Sequence, residues 1–252
     1  MFLSRREALL ELNVENLDLS FDDKFLANEK LTWLPWVGVN FQATTSRTLV
    51  LGESTYNWSP SSQVVQNRIN KNDHLRLVHQ NNAIKFKGKS EYTRNFERAV
   101  FNTKKLTPIK SKELWHSVAY HNLVLRCMKN VKARPKYDDY VAGWNETFHL
   151  FDLLGIEQCF CYGLEDKKIQ AFKDVAALHN YQFEVRSFPK IGKNTPKIIT
   201  LIVNEKPIKI VFLRHPSSFF SWRKWAVFMQ SHAPLTTLTS ASSATSTQPI
   251  IE

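Results

Sequence analysis

The chain has 252 residues, 43% of them hydrophobic, with 17 Phe and 7 Trp, enough for one sizeable domain with a core. No apolar run approaches the roughly 20 residues of a membrane helix, and three cysteines are too few for a disulfide framework or a four-cysteine cluster. The net charge is +11, and its placement is uneven: residues 64–136 hold 17 Lys/Arg against 4 Asp/Glu, whereas residues 1–30 hold 4 against 7.

The opening stretch MFLSRREALLEL is too charged for a secretory leader, and Ser4-x-x-Glu7 reads as a capping box, so helix is expected within 1–30. Pro35-Trp36-Val37-Gly38 leads to a first strand at 47–51, uncharged and suited to burial on both faces. Residues 57–110 are polar with little periodicity and read as long loops with short helices that carry much of the basic surface. In LWHSVAYHNLVLRCM (114–128) the run 123–125 fits a strand or a buried helix. Residues 138–154 place Val141, Trp144, Phe148 and Phe151 on one helical face, and Gly155 ends the helix.

QCFCYG (158–163) is a short buried strand whose Cys159 and Cys161 share one face. They read as core cysteines in a reducing cytoplasm, with too few partners for a metal site. A helix at 165–179, strands at 183–188, 199–203 and 208–213, and an aromatic helix at 219–231 complete the pattern. The Ser/Thr-rich tail from 235 is expected to be disordered, leaving 1–234 as a single domain. Strands alternating with helices predict a three-layer α/β/α fold around a mostly parallel sheet.

Two strands end in clusters of polar residues: 49–51 in Gly52-Glu53-Ser54-Thr55-Tyr56, and 210–213 in Arg214-His215-Pro216-Ser217-Ser218. In a parallel sheet such ends converge on one crevice. In order and spacing the pair resembles the first and last motifs of the uracil-DNA glycosylase superfamily, which carries GQDPY, GEAPG or GMNPG after the first strand and a His-Pro-Ser motif after the last. Glu53 falls at the glutamate of GEAPG and Tyr56 at the tyrosine of GQDPY. LPWVGVNF (34–41) resembles the segment ahead of the first motif. Asn122, in WHSVAYHNLV, falls at the base-recognising asparagine. The resemblance spans about 34–228. It departs at Ser54, where the best-known uracil enzymes have aspartate, and at Thr55, where they have proline.

The resemblance implies a uracil-DNA-glycosylase-like fold and a monofunctional DNA glycosylase that leaves an abasic site. Breaking an N-glycosidic bond builds positive charge on the sugar and negative charge on the base, after the base has been flipped from the helix. Glu53, the only carboxylate of the first motif, is assigned to water and the sugar cation. His215 is assigned to the leaving base. Asn122, Tyr56 and Ser54 form the base-binding set, with Trp58 and Phe86 weaker stacking candidates. Arg214, Ser217 and Ser218 are assigned to the DNA backbone.

Each assignment has a plainer alternative: a surface salt bridge for Glu53, helix capping for His215, Ser217 and Ser218, loop satisfaction for Asn122. The resemblance implies uracil as substrate, or a damaged or hypermodified base such as modified cytosine in phage DNA, the latter serving defence rather than repair. The expected partner is DNA, bound by a cytoplasmic monomer with no metal or organic cofactor. Absence of an evident lysine beside either motif favours water over an amine nucleophile. The competing readings are a non-catalytic nucleic-acid-binding module on the same scaffold and a hydrolase of free nucleosides, which the basic segment fits poorly.

Overall fold

The structure, a computed structural model, describes residues 11–57, 59–85, 90–130, 132–217 and 219–237. In chain order its elements are α1 (Asp22–Leu26), β1 (Trp36–Val37), β2 (Thr48–Gly52), β3 (Thr55–Tyr56), α2 (Gln63–Ile69), α3 (His74–Ala83), α4 (Glu91–Val100), α5 (Pro108–Ser117), β4 (Ala119–Asn122), β5 (Cys127–Met128), α6 (Tyr137–Leu154), β6 (Gln158–Tyr162), α7 (Asp166–Leu178), β7 (Gln182–Ser187), β8 (Lys197–Val203), β9 (Lys206–Leu213) and α8 (Trp222–His232).

Seven strands form one sheet in the order β1-β4-β2-β6-β9-β8-β7. The four middle strands, β4, β2, β6 and β9, are parallel, and β1, β8 and β7 pair antiparallel toward the edges. Alternation along the central strands sends side chains to opposite faces. Leu49, Leu51, Cys159, Cys161, Ile210 and Phe212 enter one core under α6 and α7. Val50, Phe160, Tyr162, Val211 and Leu213 enter the other, under α3, α4, α5 and α8. Helices therefore flank a large central sheet on both sides.

Local chemistry sets the boundaries. Thr107 accepts from the Lys110 amide with Pro108 in the first turn of α5, and Gly155 ends α6 in the left-handed region at φ 62°. Trp144, fully buried in α6, meets Phe172 of α7 edge-on at 5.1 Å and ties that pair of helices to the sheet.

One expectation lies largely outside the described residues and two change. The capping box at Ser4 lies outside the described residues, and the rest of 11–30 holds only a three-residue 3₁₀ turn and the five-residue α1. Residues 57–110 contain three helices, α2, α3 and α4, rather than mainly loops. Their apolar periodicity is interrupted because polar groups occupy inward positions: Arg76, His79, Gln80, Thr93 and Glu97 are all buried. Glu97 accepts from the Trp115 indole at 2.6 Å and from Ser111, and pairs with Arg94 at 2.7 Å. The run 123–125, expected as a strand or a buried helix, is neither: the strand lies at 119–122, and the chain turns at 123–126.

The basic segment is in part structural, since Arg68, Arg76, Arg94 and Arg126 pair with Asp73, Asp22, Glu97 and Asp139 at 2.6–2.7 Å. At the other end Leu235 packs on the second core and Thr237 is buried against Glu113, so the body extends slightly past 234. The rest of the tail expected to be disordered from 235, residues 238–252, lies outside the described residues. No helix among the described residues is long and apolar enough to cross a membrane.

Candidate functional site

The register of the parallel strands brings four C-terminal ends into a row. Gly52 lies opposite Asn122, and Tyr162 opposite Leu213. Hydrogen bonds donated by the amides of Leu123, Val124 and Gly163 to the carbonyls of Gly52, Glu53 and Leu213 (2.7–2.9 Å) carry the ladder past the strands. The loop after β2 is held by β3, which pairs parallel with β5. Above the row opens a cleft of about 1310 Å³. Glu53, Ser54, Tyr56, Asn122, Arg214, His215 and Ser217 all line it, from sequence positions more than 160 residues apart. Ser218, Trp58 and Phe86 lie outside the described residues.

Glu53 is held on one side only. Its Oε1 accepts from Lys168 Nζ at 3.0 Å and from the Tyr140 hydroxyl at 3.2 Å, while Oε2 accepts no hydrogen bond among the described residues. Burial raises the Tyr140 hydroxyl above its ordinary range, which keeps it a donor. The ion pair is not the surface bridge considered from sequence, because Lys168 is fully buried. Lys168 also donates to the Tyr162 carbonyl at 2.5 Å and meets Glu165 at 2.8 Å. Burial disfavours its charge, but the surrounding acidic groups, Glu53 and Glu165 among them, outweigh burial and hold the amine above its ordinary range. A charged amine is not a nucleophile.

His215 is a defined hydrogen-bond donor. The Ser217 amide donates to its Nδ1 at 3.2 Å, and the Ser217 hydroxyl lies 2.9 Å from the same atom. Burial lowers the imidazole below its usual range. A neutral ring whose Nδ1 accepts carries its proton on Nε2. The capping alternative fails for His215 and Ser217, because α8 starts at Trp222 with Ser221 at its N-cap.

Asn122 is largely committed within the protein. Its Oδ1 accepts from the Tyr120 hydroxyl at 2.9 Å and its Nδ2 donates to Thr55 Oγ1 at 3.0 Å. One N–H and one lone pair are left for another partner. A Cβ on Gly52 would stand 2.5 Å from that Oδ1, which is why the strand ends in glycine there. Arg214 donates to Asn194 at 3.1 Å, with its guanidinium 5.8 Å from the Phe219 ring.

The opposite wall, from α2, α3 and α4, is different, as is Tyr162 at the end of β6 between the walls. Tyr162, His74 and His79 are at least nine-tenths buried, yet the Tyr162 hydroxyl and both ring nitrogens of each histidine have no hydrogen-bond partner among the described residues. The Ser54 hydroxyl shares that state. His79 stacks on Tyr120 at 4.1 Å and meets Trp115 edge-on at 4.4 Å. Burial, then the Arg94 charge, pulls it to about 3. Burial, then the Arg68 charge, pulls His74 to about 4.

Sequence reasoning missed Lys168, Tyr140, Tyr162, His79 and Phe219. Lys168 left a signal, since it lies four residues before Phe172 on the inward face of α7. Phe219, at 91% exposure and φ 51°, is the most exposed large apolar side chain among the described residues, and it sits beside the cleft. Among the described residues no group of three or more His, Cys, Asp or Glu is placed to hold a metal ion. No protein-family model matches the chain, and no curated protein matches it either.

Proposed function

We propose that this cleft is the active site of a monofunctional DNA glycosylase of the uracil-DNA glycosylase type, acting on a flipped pyrimidine larger than uracil. One observation carries the reading: a carboxylate with one oxygen clamped and the other unengaged among the described residues lines the same cleft as a neutral imidazole whose proton is on Nε2. These are the two groups that cleavage of a C1′–N bond needs. As the bond breaks, its electron pair leaves with the base and the charge spreads to the base carbonyl, where the His215 Nε2–H donates. Such a preorganised donor is worth about 10²–10³ in rate. Glu53 Oε2 faces the sugar cation, orients a water to C1′ and takes its proton.

Delivery of the base is supported by the surroundings. Lys129, Lys132, Arg134 and Lys136 are exposed on the loop that reaches the cleft mouth, a surface suited to phosphates. Phe219 has the form of the apolar wedges that unstack bases. Buried polar groups without partners are costly, and Tyr162, His74 and His79 suit a base that carries a polar substituent.

The test incubates the protein with duplexes containing uracil, 5-hydroxymethylcytosine or a more heavily substituted cytosine, and with phage DNA of modified cytosine. Alkali-labile sites are counted for each. Release is expected to be fastest for the substituted cytosines. Uracil released fastest removes the enlarged-base argument. Tight binding to every DNA with no base released from any replaces the enzyme with a binding module.

A further inference from the structure

We infer that Lys168 is the positioning residue of this site: it acts through Glu53, clamping Oε1 so that Oε2 alone is presented to the reacting sugar. The inference rests on the glycosylase reading of the cleft and assigns a role that neither strand-end motif contains.

The geometry is built for it. Lys168 rises from the first turn of α7 with no solvent exposure, and its three short contacts, to Glu53, Glu165 and the Tyr162 carbonyl, use all three ammonium protons. Its own carbonyl accepts from the Trp144 indole at 2.9 Å, which locks the start of α7 against α6. Tyr140, from α6, donates to the same Glu53 oxygen, and the ammonium lies 5.4 Å from its ring. Two helices on one face of the sheet therefore aim at one carboxylate oxygen. Room for the clamp is left by Gly163, at φ 99°: a Cβ there would stand 2.2 Å from Lys168 Nζ and 2.2 Å from Glu165 Oε2.

A carboxylate free to rotate would present either oxygen, or turn from the sugar toward the nearby cations. Fixing one oxygen removes that freedom before the substrate arrives, which is what preorganisation means for a charged group. Because all three protons are committed and the amine is charged, Lys168 has no free electron pair for attack on the sugar.

The test is a double-mutant cycle on the full chain, read twice. Single-turnover base release is measured for wild type, Lys168→Met, Glu53→Gln and the double variant, with DNA affinity measured alongside. Lys168→Met is expected to slow release about 10²-fold with affinity little changed, and to change the residual rate of the Glu53→Gln protein by less than about twofold. A purely structural lysine would slow both backgrounds equally, and that result overturns the inference.

Thermal unfolding supplies the second reading. Lys168→Met leaves the partly buried Glu53 carboxylate without its cation, and its loss of Tm is expected to be larger by about 5 °C or more in the wild-type background than in the Glu53→Gln background. If Lys168→Met does not fold, Tyr140→Phe takes its place in the same cycle, since it removes the other donor to Glu53 Oε1 and leaves the ring in place. Its rate loss should likewise vanish in the Glu53→Gln background. If wild type releases no base from any DNA while the thermal cycle still shows coupling, the glycosylase reading has failed and the catalytic role falls with it, although the clamp is real. Equal thermal losses in both backgrounds overturn the clamp itself.

Discussion

The two walls of the cleft handle polar groups in opposite ways. On the wall made by β2, α6 and α7, Glu53, Lys168, Tyr140 and Glu165 are joined by contacts of 2.8–3.2 Å. On the wall made by α2, α3 and α4, the ring nitrogens of His74 and His79 are buried with no hydrogen-bond partner among the described residues, and the Tyr162 hydroxyl between the walls is in the same state. A satisfied network is rigid and ready before a substrate arrives. An unsatisfied one costs stability until something fills it. The first arrangement suits chemistry and the second suits recognition, so changes on the first wall should act on rate and changes on the second on discrimination.

The largest expected effect is on the first wall. Glu53→Gln should leave DNA affinity nearly unchanged while single-turnover base release falls at least about 10³-fold, because the carboxylate acts on a charge present only near the transition state. A mutant with the wild-type rate would end the division between the walls. His215→Ala should slow every accepted base about 10²–10³-fold, with the greatest loss on the poorest leaving groups. A loss confined to one base would move His215 to the recognition side.

The second wall should show in the pH dependence of stability. His74 and His79 titrate near 4 and 3 in the folded protein, against 6.5 unfolded, and burial is the main cause for both. Between about 6.5 and 4 the unfolded chain therefore binds more protons than the folded one. Stability is full above 6.5 and falls with acid, by up to about 1.4 kcal/mol per pH unit for each histidine. Tm measured from pH 7 to 4.5 should drop, and His79→Phe should flatten the drop. An unchanged slope in that variant would mean that His79 is not the buried neutral group described.

Asn122 stands between the walls and should show a moderate effect on both readouts. Asn122→Ala leaves the buried Tyr120 hydroxyl without its acceptor, at a cost of about 1–3 kcal/mol, and should weaken discrimination between bases. The smallest effect is expected from Tyr162→Phe, which removes a hydroxyl with no partner among the described residues. Its Tm should not fall, yet its preference among substituted cytosines should change. A clear loss of Tm would show that the hydroxyl is satisfied within the fold.

Much of the frame was legible in the chain. Runs such as 48–51 and 158–162 are apolar on both faces, and only central strands need that. Gly155 and the stripe through Trp144 and Phe148 marked α6 for the same kind of local reason. The polar residues after β2 and β9 were legible as strand ends, which is why Glu53 and His215 emerged together. Helices α2, α3 and α4 were obscured because Arg76, His79 and Glu97 occupy inward positions, and a buried ion or imidazole reads as a solvent-facing residue until its partner is known.

What the sequence determined by itself was periodicity, termination and the chemical inventory at two strand ends, because these depend on neighbours within a few residues. Tertiary structure alone decided which oxygen of Glu53 is held, that a lysine 115 residues away holds it, and that the Asn122 amide is spent in part on Thr55. Those properties belong to pairs of atoms brought within about 3 Å by the crossovers of a parallel sheet. Separation along the chain carries no information about which pairs will meet.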